Sequence, residues 1–467
     1  MKLRSYIGGH FEESVGDEQQ SINPSAPSDV VAVFGAGSAE QASKAVEAAH
    51  QAFLKWRSTT GVARAEFLHR WSVVIADRSS ELAELAAREV GKPISEARGE
   101  AARCVALLRY FAGEALRDVG EVIPALTAGS LQFSKRQPVG VCTLITPWNF
   151  PLAIPIWKAA PALAFGNTVV LKPAEASTAV GHLLAETAME AGLPDGVFNV
   201  LLGTGPLVGE PLLSHPETRA MSFTGSQKIG LKLAAIAAER NVKFQGEMGG
   251  KNAAIVLADA DLDQAAVLIA AGAFRYAGQK CTATSRLIVH RTVADALVVK
   301  IREQMAVFQL DPVSDPKCAI GPMISAASRD RVMDALGADA PGLPDLEGFF
   351  LAPTLVTGVG SEDRLAQEEL FAPVLAVLEV DSLDEAISVA NSTPFGLSTA
   401  VFTKDISNAL SYIDRIEAGM VRVNGDTTGV DPHAPFGGMR GSSTHSREQG
   451  PAAREFYTDT KTVQINP

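Results

Sequence analysis

Cysteine is scarce in this sequence: Cys104, Cys142, Cys281 and Cys318 are the four in 467 residues, and no two are spaced as a Cys-x-x-Cys pair. Neither a zinc site nor a disulfide framework has the ligand spacing it needs, so the chain reads as reduced and cytoplasmic, without a metal. Basic residues are outnumbered, 41 Lys and Arg against 53 Asp and Glu for a net charge of -12, the opposite of what a nucleic-acid partner attracts. Uninterrupted apolar runs are missing as well. The most apolar stretch, Ile145 to Phe165, is broken by Pro147, Pro151, Pro155 and Pro161, and no membrane span is expected there. Met1 to Tyr6 lack the apolar core of a secretory signal. A complete glycine-rich dinucleotide fingerprint is absent too. Only the fragments Gly203-Thr204-Gly205 and Thr224-Gly225-Ser226 occur, each weak by itself because strand–helix turns often contain glycine.

What is present is an ordinary globular composition, 46% apolar and 20% charged, at a length that accommodates two or three domains. Strand and helix patterns alternate, which predicts α/β layers with parallel sheet. Ser38 and Gln41 form a capping pair, after which Ala42, Val46, Ala49, Phe53 and Trp56 share one helical face. Thr168 to Leu171 reads as a buried strand, Ala179 to Ala191 as a helix stopped by Gly192, and Phe198 to Leu202 as the next strand. A further strand ends at Ser222-Phe223, and a helix starts at Gln227. Ser382 and Glu385 cap a helix that runs to about Ala390. Ile123 to Gln137 is short and strand-like, as expected of an arm leaving the main body.

Three residues have chemistry to offer. Cys281 closes Gly278-Gln279-Lys280-Cys281, where the glycine lets the backbone bring sulfur close to a substrate; the ordinary alternative is a buried structural cysteine, which is how Cys104, Cys142 and Cys318 read. A thiol attacks only as thiolate, so its surroundings must activate it. Glu247 lies between the apparent strand Val242–Phe244 and Gly249-Gly250, placed to activate water, or else is a solvated surface glutamate. Asn149, in Thr146-Pro147-Trp148-Asn149-Phe150-Pro151, offers an amide to an oxyanion, or else serves the turn. Lys172-Pro173-Ala174-Glu175 follows a strand, where open α/β sheets bind ligands, or simply caps the next helix.

Taken together, these segments resemble the aldehyde dehydrogenase superfamily over almost the whole chain. Thr146 to Pro151, Lys172 to Glu175, Phe223 to Ser226, Glu247 to Lys251, Gly278 to Cys281, Glu368 to Val374, Asn391 to Gly396 and Pro435 to Gly438 follow the family order. The resemblance implies a Rossmann-like cofactor domain (1–119 and 139–246), an α/β catalytic domain (247–440) and a small β oligomerisation arm (120–138 and 455–467). It implies oxidation of an aldehyde to a carboxylic acid through a thiohemiacetal and thioester on Cys281, with Asn149 and the Cys281 N–H holding the oxyanion. Glu247 would activate water, and Glu448 would take part in proton transfer. NAD, preferred, or NADP would be held by Thr146, Trp148, Lys172, Glu175, Gly225, Ser226, Glu369 and Phe371. The partners expected are a small aldehyde and further copies of the chain, as a homodimer or homotetramer. Two rival readings are a coenzyme A-acylating relative, which generally lacks the glutamate at 247, and a non-catalytic protein of the same fold. Ala372 departs from the family's usual glycine, and the stretch from Arg331 to Phe350 is shorter than typical. Trp157 stands before Lys158 where succinic semialdehyde enzymes often have arginine. Gly278 to Arg286 and Gly441 to Gly450 resemble the bacterial 2-oxoglutarate semialdehyde dehydrogenase-like branch.

Overall fold

The computed structural model describes residues 1–313 and 315–467. Two sheets dominate it. The first has seven strands, in the order Lys243–Glu247, Thr218–Thr224, Val141–Ile145, Thr168–Lys172, Phe198–Val200, Arg4–Ile7 and His10–Glu13. Its first five strands are parallel, and the last two form a hairpin added antiparallel at the edge. The second sheet has six strands, all parallel, in the order Thr354–Val356, Val374–Val380, Thr284–His290, Asn252–Val256, Ser398–Phe402 and Met420–Val423. Strands such as Thr168–Lys172 and Ser398–Phe402 are buried at every position, as parallel sheet covered on both faces requires.

The sequence-level elements recur with small boundary changes. Ser38 caps helix Ala39–Trp56 by accepting from the Gln41 N–H, and the five apolar residues expected on its inner face are buried. Ser382 caps Leu383–Ala390 in the same way. The strand expected at Phe198 to Leu202 pairs only over Phe198–Val200. Strand Lys243–Glu247 runs further than its apolar start suggests and has Glu247 as its last residue.

A third sheet has three strands: Thr458–Ile465, Leu131–Pro138 and Val122–Ile123. Leu131–Pro138 pairs along its whole length with Thr458–Ile465, Leu131 opposite Ile465 and Pro138 opposite Thr458. Phe456 and Tyr457, expected at the start of this tail, instead end helix Ala452–Tyr457 and are buried. Among the described residues, no helix is long and apolar enough to cross a membrane.

Candidate active site

Parallel register builds the site. In the first sheet Thr224 is level with Glu247, Phe223 with Ile145, and Ile145 with Lys172. Four adjacent strands therefore end together and deliver Glu247, Thr224-Gly225-Ser226, Thr146 to Asn149, and Lys172 to Glu175 to one edge. Only Met248 to Lys251 separate Glu247 from Asn252, the first residue of its strand in the second sheet. That short link sets the C-terminal edge of one sheet against the N-terminal edge of the other. The second edge carries Cys281, just before Thr284–His290, and Glu369 and Phe371, just before Val374–Val380. Asn252 braces it: its amide donates to Cys281 O and Ala283 O, both 2.8 Å, and accepts from Ser398 N at 3.0 Å.

Cys281 is half-buried, in contact with an apolar group formed by Leu397, Met420 and Phe436. The turn before it is left-handed at three successive residues, Tyr276 (φ 54°), Ala277 (φ 51°) and Gly278 (φ 64°). A side chain at Gly278 would strike the carbonyl of Ala372. The methyl of Ala372 itself is absorbed by an apolar cluster with Ala277 and Leu370, so the departure from glycine there costs no space. The environment does not activate the resting thiol. Burial, then the carboxylates of Glu369, Glu247 and Glu448, push it above the ordinary thiol range. The other three cysteines are free and buried.

Asn149 is buried and its side chain reaches beyond its own turn: its amide N–H donates to Gln279 O at 3.0 Å, across to the Cys281 loop, while its Oδ1 has no partner. Glu247 is likewise buried, which removes the surface alternative. Its Oε2 accepts from Ser443 Oγ at 2.5 Å and its Oε1 is unpartnered. A Cβ at Gly437 would come within 2.7 Å of that free oxygen, so the glycine keeps its approach open. Burial, then Glu448, raise the Glu247 carboxyl well above its usual range, against the opposing pull of Ser443, Lys158 and Arg447.

The segment from Ser442 to Glu448 returns along the free edge of strand Lys243–Glu247, through Met248 N to Ser442 O (2.8 Å) and Thr444 N to Gly246 O (2.9 Å). Glu448 thereby enters the interior, where it pairs with Lys158 and accepts from Ser222 Oγ at 3.1 Å. Lys158 and Ser443 escaped the sequence reading. A lone lysine within the otherwise apolar helix Ala153–Ala164 was a usable signal for the first; nothing marked the second.

The residues expected to hold the cofactor divide into two groups. At the far end Lys172 pairs with Glu175 at 3.2 Å, and Glu175 also accepts from Gly205 N at 2.6 Å. Burial raises the Glu175 carboxyl, but Lys172 and the backbone donors more than offset this, leaving it lowered. Half-buried Gly225 and exposed Ser226 open the thirteen-residue helix Gln227–Glu239, whose first N–H groups suit a phosphate. Nearer Cys281, Trp148 meets Phe371 edge-on at 5.8 Å, and Phe371 itself is left-handed (φ 55°). Glu369 accepts from Gly250 N at 2.9 Å and is raised by burial to about 7. Two buried hydroxyls on this edge, Thr146 Oγ1 and Thr224 Oγ1, lack partners, and a Cβ at Gly225 would come within 2.7 Å of Phe223. Orphaned hydroxyls, a helix N-terminus and Glu175 at the first sheet's edge, with Glu369 at the second, fit a dinucleotide.

Residues 11–463 match the sequence pattern of the Aldehyde dehydrogenase family. The alpha-ketoglutaric semialdehyde dehydrogenase of Bacillus subtilis is 42% identical, over 99% of this chain and 98% of the relative. The alpha-ketoglutarate semialdehyde dehydrogenase of Haloferax volcanii is 40% identical, over 98% of each. A crystal structure of an NAD-dependent aldehyde dehydrogenase from Sinorhizobium meliloti superposes with a TM-score of 0.97 at 36% identity, over 100% of this chain and 95% of that one. The chain belongs to the aldehyde dehydrogenase family. It is an NAD(P)-dependent oxidoreductase that converts an aldehyde to a carboxylic acid.

Proposed function

We propose that Cys281 is the nucleophile, Asn149 the oxyanion donor and Glu247 the hydrolytic base. The supporting observation is that a buried carboxylate with a free oxygen, a buried amide and a half-buried thiol meet where the two sheet edges face each other. Cys281 gives up its proton to water, its thiolate sulfur adds to the aldehyde carbon, and the carbonyl oxygen becomes an alkoxide. The Asn149 amide, which donates to Gln279 O in this structure, and the Cys281 N–H donate to that alkoxide. When bound, NAD(P)+ would supply the hydride acceptor that lets this adduct become a Cys281 thioester. Glu247 takes a proton from water as it attacks the thioester, which releases the acid and restores the thiol. Glu448, with Lys158 and Ser222, conducts that proton away from Glu247. The buried Glu247 disfavours the acyl-transferring alternative.

Lys172 and Glu175 bind the adenosine ribose in this proposal. Gly225 and Ser226 bind the pyrophosphate, and Thr146, Trp148, Glu369 and Phe371 surround the nicotinamide end. NAD is preferred over NADP, because the charged Glu175 accepts from a ribose diol and repels a 2′-phosphate. Glu175→Ser is expected to move the kcat/KM ratio toward NADP by about tenfold, equivalent to ~1.4 kcal/mol. A wild type that prefers NADP, or a ratio unmoved in the variant, removes Glu175 from this role.

The substrate proposed is an acidic semialdehyde of the 2-oxoglutarate type. The activity of the similar Bacillus subtilis and Haloferax volcanii enzymes supports this. A panel of acidic, neutral and cationic aldehydes tests it; a higher kcat/KM for the neutral or cationic members counts against it.

The division into cofactor domain, catalytic domain and arm belongs to the same proposal, as does a cytoplasmic location, which suits four unpaired cysteines. The arm exposes Val122, Leu126, Leu131 and Ile465, apolar surface that a second copy of the chain would cover. Sedimentation at micromolar concentration is expected to show dimers or tetramers. A monomer alone rejects the arm's role.

A further inference from the structure

One fully buried cation outside the residues assigned so far stands between the loops of Asn149 and Cys281. Lys92 follows Gly91, whose left-handed backbone (φ 69°) ends helix Ser79–Val90. Its ammonium pairs with Glu100, which projects from helix Ile94–Glu114, and both side chains are 1% exposed. The same ammonium lies 4.0 Å from the centre of the Phe150 ring and 4.4 Å from that of Tyr276. Phe150 directly follows Asn149, and Tyr276 begins the left-handed run that leads to Cys281. The second oxygen of Glu100 accepts from the N–H groups of Leu152 and Ala153, both at 2.8 Å. The ion pair thus holds the Asn149 loop twice, by a ring and by its backbone, and the Cys281 loop once.

A buried ion pair is a poor way to gain stability, since desolvation consumes much of the attraction. Its advantage is directional. The carboxylate has two fixed backbone donors, and the ammonium is confined between two π faces. Left-handed backbone at Tyr276 and Ala277 is disfavoured for residues with side chains and persists only where the surroundings hold it.

We propose that Lys92, oriented by Glu100, is a positioning residue that sets the Asn149 amide relative to the Cys281 turn by clamping Phe150 and Tyr276. This rests on the reading that Asn149 and Cys281 perform the chemistry.

The test follows the pre-steady-state burst of NADH in Lys92→Met and Phe150→Leu, the second of which leaves the ion pair intact. Melting temperature, NAD affinity and the rate of Cys281 alkylation by iodoacetamide are measured alongside. Alkylation needs an accessible thiol but no oxyanion donor. Lys92→Met is expected to lower the burst rate constant on the order of 10²-fold, the effect of about 1 Å of misplacement, with NAD affinity, aldehyde KM and alkylation unchanged. Phe150→Leu should shift the burst in the same direction by less. If Lys92→Met does not fold, Phe150→Leu decides. A wild-type burst in either folded variant overturns the proposal, and so does a loss of burst matched by equal losses of NAD affinity and alkylation. Asn149→Ala separates the two levels. If it keeps a normal burst, the oxyanion reading fails; if it loses the burst while folded Lys92→Met keeps it, only the positioning role fails.

Discussion

Cys281→Ala is expected to form no NADH from any aldehyde while still binding NAD. Loss of a covalent nucleophile removes the reaction path itself, so the fall in kcat should be at least about 10⁴-fold. Cys104, Cys142 and Cys318 cannot substitute: they are buried and lie outside the two facing sheet edges. The wild-type thiol adds a second expectation. Burial and the carboxylates of Glu369, Glu247 and Glu448 hold it protonated, so iodoacetamide should modify Cys281 slowly at neutral pH and increasingly fast through and above the ordinary thiol range. Steady NADH formation by the alanine variant, measured spectrophotometrically, would end the covalent mechanism. An alkylation rate already level at neutral pH would contradict the electrostatic picture alone.

Glu247→Gln should separate the two halves of the reaction. Hydride transfer does not require this carboxylate, so a burst of NADH of about one equivalent per site remains. Hydrolysis does require it, and steady-state turnover should fall about 10²–10⁴-fold. The wild-type pH profile carries the sign of the shift. A base works only when ionised, and burial with Glu448 raises the Glu247 carboxyl well above the carboxylate range. Turnover limited by hydrolysis should therefore climb with pH through that raised value. Glu448→Gln removes one raising charge and leaves Lys158 to lower the carboxyl further, moving the rising limb to more acid pH. A Glu247→Gln enzyme with a normal steady-state rate rejects the role, and a Glu448→Gln limb displaced to alkaline pH rejects the coupling.

Local signals were read well where the physics is local. Helix Ala39–Trp56 depends on a serine cap and one apolar face, both visible in a row of letters. Gly278 marks a close backbone approach in the sequence, and the structure has a left-handed turn over Tyr276, Ala277 and Gly278 there. Boundaries moved where pairing decides them. Lys243–Glu247 extends past its apolar residues because Thr218–Thr224 pairs with it as far as Glu247, and Phe456 and Tyr457 turn helical because that helix buries both.

Residue chemistry and segment order were enough to place the chain in its family and to nominate Cys281, Glu247 and Asn149, since each brings a functional group that its neighbours in sequence do not. Tertiary structure alone decided what those groups experience. Their charges interact through space across the two sheet edges, and no sequence spacing encodes that distance. Hence the carboxylates that oppose the thiol, the Ser443 and Lys158 partners of the Glu247–Glu448 pair, and the Lys92 clamp between two loops emerged only from the fold.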